Sequence, residues 1–341
     1  MAALRVLILG GTGFMGARAT RSLLAAGHEV TTLSRGHTAP EPGARARDAD
    51  RSDAASLAAA LEGAHFDLTV DFCAYDSADV ERLLLTPHAA LGRYVLISSG
   101  QVYLVTEAPR TPHREEDSDG PLIAEPPAET HDHAQWSYGL GKRRAERAAL
   151  TLRESHGVRA VVLRLPVIHG EDDPRLRLWA YLERMLDGGP LLLPDGGERL
   201  VRYLYAGDVA GALLRLIDEG SPRGTVYNLA QPEVLTFREF LDQTAPAAGC
   251  APRFVSAPSE ELEREGLDPA FSPLAGRWTS VLDPSLAIAD MGFSATRLAD
   301  WLPGVVRAHL ERRPARSHAG YAQRAREIEV ALRLTPSNVR N

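Results

Sequence analysis

The sequence predicts an α/β protein built on a doubly wound parallel sheet, with a smaller C-terminal substrate lobe. Short apolar runs rich in leucine and β-branched residues alternate with longer amphipathic stretches in the order βαβα. The apolar runs are almost continuously hydrophobic, which suits parallel strands covered by helices on both faces. The chain has 341 residues, more than a single core usually accommodates, so a second lobe is expected.

The individual elements follow in chain order from this alternation. Strands are predicted over residues 4–9, 29–33, 67–72, 94–98, 160–165 and 225–229. Helices are predicted from about residue 14 and near residues 54–61, 79–85, 137–155 and 175–186. A charged stretch over residues 323–333 has apolar residues at helical spacing, so we expect a helix on the surface or between subunits.

A glycine-rich segment, Gly10 to Gly16, lies between the first predicted strand and the first predicted helix. Glycines there allow a tight turn and let backbone amides approach a pyrophosphate, which then lies at the positive end of the helix dipole. A turn that merely needs small residues is the alternative, which the position after the first strand of a βαβ series disfavours. We therefore expect a Rossmann fold whose dinucleotide is bound by Gly10, Thr12, Gly13, Phe14, Met15 and Gly16.

The end of the second predicted strand indicates which dinucleotide is used. An acidic residue there would bind the ribose hydroxyls of NAD, whereas an arginine would accommodate the 2′-phosphate of NADP. The strand ends in Ser34 and Arg35 with no carboxylate, so NADP(H) is preferred and NAD(H) is the alternative. Arg35 could instead stack on the adenine or lie in solvent. Asp50 and Arg51 are expected at the adenine edge.

The predicted domains follow from these elements. Residues 1–170 form the dinucleotide-binding domain, whose sheet is completed by about residues 200–230. Within it, residues 104–136 are rich in proline, acidic residues and histidine, and so long a segment is typical of a functional lid or of a disordered loop. Residues 171–199 and 231–312 are expected to form the substrate-binding lobe, and residues 313–341 a helical tail.

Tyr138 and Lys142 are four residues apart, which places a phenol and an ammonium on one face of a helix. A free phenol titrates near ~10, and a neighbouring cation stabilises the phenolate, so the pair can exchange a proton near neutral pH. Lys142 is the only lysine among 38 basic residues, and the others are arginines. Because arginine cannot replace a compact ammonium, chance placement of this lysine is the weaker explanation.

Small hydroxyls follow the fourth predicted strand, at the carboxyl edge of the sheet where ligands bind in such folds. Ser99 can donate a hydrogen bond to a substrate oxygen there. A serine at a strand end often only forms a turn, and this alternative has similar weight when Ser99 is considered alone.

Together these residues resemble the extended short-chain dehydrogenase/reductase family, which contains sugar-nucleotide epimerases, dehydratases and ketoreductases. The resemblance covers about residues 4–303 and rests on five motifs in the family's order. These motifs are Gly10-x-x-Gly13-x-x-Gly16, Ser98-Ser99-x-x-Val102-Tyr103, Tyr138-x-x-x-Lys142, Arg164-Leu-Pro-Val-Ile-His-Gly170 and Gly207-Asp208-Val209-Ala210.

The resemblance implies roles for the candidate residues. Ser99 would orient the substrate oxygen, Tyr138 would exchange its proton, and Lys142 would bind the nicotinamide ribose and lower the tyrosine pKa. A homodimer through the helices that flank Tyr138 is also implied. The expected cofactor contacts further include Cys73, Ala74 and Leu165.

Two departures from the family pattern restrict the possible reactions and substrates. Dehydratases of this family follow the active-site hydroxyl residue with an acidic pair, whereas Gly100 and Gln101 follow Ser99, so dehydration is disfavoured. Many nucleotide-sugar enzymes have an asparagine where this chain has Val167 and a tyrosine where it has His169, which argues against a nucleotide-sugar substrate. The expected substrate contacts are Gln101, Val167, His169 and Arg202.

Several other classes of function are disfavoured. A net charge of -7 gives no electrostatic footprint for nucleic acid. The apolar run over residues 4–9 is too short to span a membrane and lacks a basic leader. Cys73 and Cys250 are isolated, which indicates reduced thiols in a cytoplasmic protein. Because His131-Asp132-His133 lacks further ligands nearby in sequence, no metal is expected.

We therefore expect an NADP(H)-dependent ketoreductase or epimerase that acts on a secondary alcohol or ketone of a small, sugar-like molecule. A catalytically silent nucleotide-sensing or RNA-associated binding protein on the same fold is the alternative. Such proteins commonly lose the tyrosine or the lysine, and both Tyr138 and Lys142 are present in this chain.

Overall fold

The computed structural model describes residues 2–218 and 223–335. The chain divides into two compact units. The first comprises Met1–Ile168, Leu204–Ala230 and Leu282–Ala295, and the second comprises His169–Tyr203, Gln231–Val281 and Thr296–Asn341. This division differs from the predicted domains at two places. The segment Leu282–Ala295 belongs to the first unit, and the C-terminal segment belongs to the second unit rather than to a separate tail.

The strands and helices are numbered in chain order. The strands are β1 (Arg5–Leu9), β2 (Glu29–Ser34), β3 (Arg45–Asp48), β4 (Leu68–Asp71), β5 (Arg93–Ser99), β6 (Ala160–Leu165), β7 (Val167–His169), β8 (Leu191–Pro194), β9 (Leu200–Val201), β10 (Tyr203–Tyr205), β11 (Val226–Asn228), β12 (Leu235–Thr236) and β13 (Phe254–Ala257). The α-helices are α1 (Phe14–Ala25), α2 (Ala54–Leu61), α3 (Ser77–Leu84), α4 (Gln101–Leu104), α5 (His131–His156), α6 (Trp179–Leu186), α7 (Ala206–Asp218), α8 (Phe237–Ala247), α9 (Ser259–Arg264), α10 (Ser285–Met291), α11 (Leu298–Glu311) and α12 (Arg324–Leu334).

The first unit is built on a seven-stranded sheet in the order β11-β6-β5-β4-β1-β2-β3. Every neighbouring pair in this sheet is parallel. The order reverses at β1, so the carboxyl ends of β1 and β4 lie at the point where ligands bind in such folds. The predicted doubly wound α/β fold is therefore confirmed.

Side chains of the strands alternate between two cores, one on each face of this sheet. On β1, Val6 and Ile8 pack in the core that contains residues of α1 and α7, whereas Leu7 and Leu9 pack in the core that contains residues of α2, α3 and α5. This alternation is the period-two geometry of a strand that is buried on both faces. It explains why the strands of the sheet centre are almost continuously apolar.

The edge strand β3 was not predicted from the sequence. Its residues Arg45-Ala-Arg-Asp48 are charged and mostly exposed, and they carry no apolar pattern. The strand exists because its backbone pairs with β2, with Ser34 opposite Asp48. Charged side chains on an edge strand are a usual protection against pairing with another chain.

The helix that carries Tyr138 and Lys142 begins earlier than predicted. Helix α5 starts at His131, because the Thr130 side chain accepts a hydrogen bond from the His133 backbone amide at 3.1 Å and caps the helix. The irregular segment predicted over residues 104–136 is therefore shorter, and it contains a 3₁₀ turn at Glu115–Asp119.

The second unit contains two short strand pairs, β8 with β13 and β9 with β12. Its core includes Leu192, Leu262, Phe271 and Val330. The C-terminal helix α12 contributes Val330 to this core, and its Glu327 forms a buried ion pair with Arg184 of α6, with Nε to Oε2 at 2.8 Å. The predicted C-terminal helix is thus a packed element of this unit. Among residues 2–218 and 223–335, no helix has both the length and the apolar character needed to cross a membrane.

Candidate active site

The glycine segment forms a tight turn at the carboxyl end of β1. Gly10 has a φ of +77°, and its carbonyl accepts a hydrogen bond from the Gly13 amide at 3.0 Å. A Cβ at Gly16 would lie 2.1 Å from the Gly10 carbonyl oxygen, so only glycine fits there. Helix α1 begins at Phe14 with no side-chain cap and no acidic residue in its first turn. These features leave the positive end of its dipole suited to an anionic ligand.

Lys142 is anchored at the carboxyl edge of the sheet. Its Nζ donates hydrogen bonds to the carbonyl oxygens of Ala74 at 2.7 Å and Ile97 at 3.0 Å. Only 2% of the residue is exposed. Burial lowers the pKa of Lys142 to about 8, a shift that the nearby Asp71 carboxylate partly opposes. The ammonium is therefore fixed in position and still largely charged at neutral pH.

Tyr138 lies one helical turn before Lys142 on α5 and is 36% exposed. The two glycines between them explain how this helix approaches the sheet edge. A Cβ at Gly139 would lie 2.7 Å from the Gln101 carbonyl oxygen, and one at Gly141 would lie 2.4 Å from the Tyr75 carbonyl oxygen. The sequence Tyr-Gly-Leu-Gly-Lys therefore combines two candidate catalytic side chains with close backbone packing.

Tyr75 is a residue of this site that the sequence analysis missed. Its ring centroid lies 6.2 Å from that of Tyr138, and Lys142 Nζ lies 5.0 Å from the ring centre. Its backbone amide donates to Asp79 Oδ2 at 2.8 Å, a contact at the start of α3, and 54% of the residue is exposed. Its place directly after Cys73 and Ala74, at the carboxyl end of β4, was the signal that could have identified it.

Ser99 and Gln101 lie at the end of β5, in the same region of the first unit. The Ser99 hydroxyl accepts a hydrogen bond from the Gln101 amide at 3.2 Å, and the Gln101 side chain donates to Gln135 of α5 at 2.6 Å. The neighbouring Ser98 hydroxyl donates instead to the buried carboxylate of Glu146. Of the two serines, Ser99 is thus the one whose hydroxyl hydrogen can be directed at a ligand.

Arg51, which was expected at the adenine edge, has a guanidinium that is held by other groups of the first unit. Its guanidinium forms two hydrogen bonds with the buried Asp71 carboxylate, at 2.8 and 3.0 Å. Burial opposes the charge of Asp71, but Arg51 outweighs that effect and holds the pKa of Asp71 below its usual value. The same pair contacts Cys73, whose thiol pKa is raised to about 11 by burial. Arg51 therefore acts in an internal ion pair, and Cys73 is a neutral thiol.

The carboxyl end of β2 carries more charge than its own sequence indicates. Ser34 accepts a hydrogen bond from the Gly36 amide at 3.3 Å, and Arg35 is exposed. The Asp50 carboxylate accepts two hydrogen bonds from Ser52, which lower its pKa, and Arg35 lowers it further. Strand β3 adds Asp48 opposite Ser34. A carboxylate is therefore contributed here by the neighbouring strand, although β2 itself ends without one.

A buried network ties the irregular segment after β5 to α5 and β6. Arg164 pairs with Glu146 through Nη2 and Oε2 at 2.7 Å, and it also donates to the Glu115 carbonyl at 2.7 Å and to the Ser118 hydroxyl at 2.9 Å. Asn228 donates to the His113 carbonyl at 3.0 Å. The composition of this segment predicted a lid, but these contacts fix its residues 113–118 against the first unit.

Two predicted substrate residues have packing contacts in the second unit. His169 is fully buried between the rings of Tyr203, Phe240 and Trp301, and burial lowers its pKa to about 3. Arg202 donates from Nε to the Gln231 carbonyl at 2.7 Å and from Nη2 to the Pro232 carbonyl at 2.9 Å. These environments argue against direct contact of either side chain with a substrate.

The remaining predicted residues lie in the first unit. Ala74 and Leu165 are buried, so their backbones are the parts that a ligand can reach, and Val167 is half-buried. His131 to His133 form the first turn of α5, where the His133 ring lies 3.1 Å from the Glu125 carboxylate. In the part of the chain that the structure describes, no group of three or more potential metal ligands occurs.

Residues 6–230, about two thirds of the chain, match the sequence model of the NAD dependent epimerase/dehydratase family. The chain belongs to this family. The resemblance inferred from the sequence motifs is thereby confirmed at the family level.

The relatives to which this chain is similar have names that indicate different functions. The 2′-dehydrokanamycin reductase of Streptomyces kanamyceticus is 29% identical over 83% of this chain and 78% of its own length. The chloroplast stem-loop binding protein of 41 kDa b of Arabidopsis thaliana is 26% identical over 72% of this chain and 63% of its own length. The solved UDP-glucose 4-epimerase of Thermotoga maritima superposes with a TM-score of 0.70 over 91% of this chain and 100% of its own, at 17% identity, which shows a shared fold.

Proposed function

We propose that this chain is an NADP(H)-dependent oxidoreductase or epimerase that acts on a secondary alcohol or ketone of a sugar-like substrate. The observation that carries the proposal is the position of Lys142, whose ammonium is fixed by two backbone carbonyls one helical turn from Tyr138. A phenol beside a fixed ammonium is suited to giving and taking a proton near neutral pH. The name of the Streptomyces relative, which is a reductase, supports the same class of reaction.

The residues present fit a dinucleotide. The turn at Gly10 leaves no room for a Cβ at Gly16, and the uncapped start of α1 suits a pyrophosphate. Ser34 and Arg35 favour NADP(H), with NAD(H) as the alternative. Asp50 is proposed to contact the adenosine half. When bound, the nicotinamide ring supplies or accepts the hydride.

The protein side chains would handle the proton. In the reducing direction, the Tyr138 hydroxyl donates its proton to the substrate oxygen, and the Lys142 ammonium stabilises the resulting phenolate. Ser99 donates a hydrogen bond to the same oxygen and orients it. In the oxidising direction the proton returns to Tyr138. Because Gly100 and Gln101 stand where dehydratases have an acidic pair, elimination is disfavoured.

An absorbance assay, together with analysis of the purified protein for bound cofactor, separates a reductase from an epimerase. Ketohexopyranosides are incubated with NADPH, and with NADH in parallel, while the absorbance of the reduced nicotinamide is followed. Stoichiometric loss of absorbance supports a reductase, whereas a cofactor that stays bound through purification, with no net redox change, supports an epimerase. Tyr138→Phe should abolish either reaction and leave dinucleotide binding intact. Full activity in this variant would contradict the proposed role of Tyr138.

A second candidate is an RNA-associated binding protein, and the similarity to the chloroplast stem-loop binding protein is the observation that favours it. The net charge of -7 and the retained Tyr138 and Lys142 argue against it. Electrophoretic mobility shift with a stem-loop RNA tests this candidate. RNA binding that survives in Tyr138→Phe and Lys142→Met, together with no redox activity of the native protein, would favour it over the enzyme.

We propose that the protein is cytoplasmic and forms a homodimer through the helices that flank Tyr138. Light scattering coupled to size-exclusion chromatography tests the dimer directly. A mass of one chain at micromolar concentration would contradict it.

A further inference from the structure

The carboxylate of Asp48 lies against the turn that follows β2. Asp48 is the last residue of β3 and pairs with Ser34, the last residue of β2. Its carboxyl atoms lie 3.1–3.2 Å from the point that a Cβ would occupy at Gly36, where φ is +76°. In a doubly wound fold, the residues directly after β2 surround the adenosine ribose. Strand pairing thus brings an acidic group to this position from elsewhere in the sequence.

The Asp48 carboxylate is available to a ligand. It is exposed, and within residues 2–218 and 223–335 it has no hydrogen-bond or ion-pair partner. Arg35, in the same turn, is exposed as well, and its charge lowers the pKa of Asp50. The carboxyl ends of β2 and β3 therefore present one cation, Arg35, and two anions, Asp48 and Asp50.

The two dinucleotides differ at this position by a single phosphate. NAD(H) has a 2′-hydroxyl and a 3′-hydroxyl, and a carboxylate accepts hydrogen bonds from such a pair. NADP(H) has a 2′-phosphate, which a nearby carboxylate repels and a nearby guanidinium attracts. Two side chains of opposite charge at the same turn therefore act on cofactor choice in opposite directions.

We propose that Asp48 is a second determinant of cofactor choice, which binds the adenosine ribose hydroxyls of NAD(H) and opposes the attraction of Arg35 for NADP(H). This inference rests on the proposed dinucleotide-dependent function. The inference assigns a role in cofactor binding to a residue of β3, which the sequence at the end of β2 does not reveal. Its consequence is a weaker preference for NADP(H) over NAD(H) than Arg35 alone would give.

Calorimetric titration of the purified protein with NAD⁺ and with NADP⁺ tests the inference without an activity measurement. Asp48→Asn keeps the shape of the side chain and removes its charge, and Arg35→Gln is the matched variant of the opposing residue. Glu154→Gln, an exposed carboxylate on α5, is the control for a general change of net charge. Asp48→Asn should raise the ratio of NADP⁺ to NAD⁺ affinity by about tenfold, as removal of one charge within several ångströms of a phosphate implies.

The other variants define the outcomes. Arg35→Gln should lower the same ratio by about tenfold, and Glu154→Gln should leave it unchanged. These effects should shrink as salt is added, because both charges are exposed. If Asp48→Asn leaves the ratio of NADP⁺ to NAD⁺ affinity unchanged while Arg35→Gln still lowers it, the inference is overturned. The proposed function would then remain in place. Failure of the native protein to bind either dinucleotide would overturn the proposed function itself.

Discussion

The buried ammonium of Lys142 allows a direct test of the site geometry. Because Lys142 is the only lysine, protein labelled with ¹³C at the lysine ε-carbon gives a single lysine signal that needs no assignment. A pH titration of this signal should show a midpoint of about 8, well below the ordinary value of 10.5. The same sample in concentrated urea supplies the reference for the unfolded chain.

The expected shift can be converted into free energy. A gap of about 2.5 pKa units corresponds to about 3–4 kcal/mol, since each unit is worth about 1.4 kcal/mol. The folded state has the lower pKa, so it binds fewer protons than the unfolded chain between about pH 8 and pH 10.5. Burial of the ammonium therefore costs stability below about pH 8, and this cost disappears as the pH rises towards 10.5.

Two outcomes would contradict this reasoning. A midpoint at about 10 or above in the folded protein would show a hydrated ammonium, which is incompatible with its contacts to Ala74 and Ile97. If Lys142 titrated at the same pH in the folded protein and in urea, burial of its ammonium would carry no cost in folding free energy. Cys73→Ala serves as a control, because its buried thiol acts on Lys142 and also titrates at alkaline pH.

Four further predictions use the same site. The kcat/KM for a ketone substrate should fall as the pH rises through about 8, because Lys142 loses its charge, and a pH–rate profile measures this. Tyr75→Leu removes a cation–π contact with the ammonium and should therefore lower the Lys142 pKa by less than ~1 unit in the ¹³C titration. Tyr75→Phe keeps an aromatic ring and should keep the native midpoint. Gly16→Ala should weaken NADP⁺ binding in calorimetry by about tenfold or more, since its Cβ would lie 2.1 Å from a backbone oxygen. Arg164→Met should destabilise the fold by about 3–5 kcal/mol in urea denaturation, because Glu146 would remain buried without its partner, and a change below ~1 kcal/mol would contradict that account.

Features that depend on local sequence were predictable. The central strands are buried on both faces, so their apolar runs stand out in the sequence, and each predicted strand is present. The turn at Gly10 and Gly16 and the spacing of Tyr138 and Lys142 are local as well. A short spacing fixes which side chains share a turn or a helix face, and no knowledge of the tertiary structure is needed.

Features that depend on strand pairing or on a helix cap were not predictable in the same way. Strand β3 is charged and gains its structure from β2, so no hydrophobic pattern marks it. The start of α5 was placed too late, because its capping residue Thr130 lies among prolines, acidic residues and histidines that resemble a loop. Both errors concern the edge of the candidate site, where tertiary contacts override local propensity.

Asp48, Tyr75 and Arg51 show why the charge pattern of the site required a structure. Asp48 is distant in sequence from the turn that its carboxylate contacts, and Tyr75 approaches Tyr138 only because α5 packs on the end of β4. Arg51 was expected at the adenine edge, but its guanidinium forms two hydrogen bonds with the buried carboxylate of Asp71. In each case the relevant contact joins two different strands, helices or turns, and short sequence spacing carries no information about it.

The identity of the one lysine in the chain follows from the geometry at its position. Two carbonyl oxygens, those of Ala74 and Ile97, converge on a single nitrogen at 2.7 and 3.0 Å in a place that is 2% exposed. A guanidinium spreads its donors over a planar fork and keeps its charge at any accessible pH, so it can neither match this point of convergence nor lower its pKa to near neutrality. An ammonium does both. In a chain that uses arginine at every other basic position, lysine is retained where a compact cation with an adjustable pKa is required.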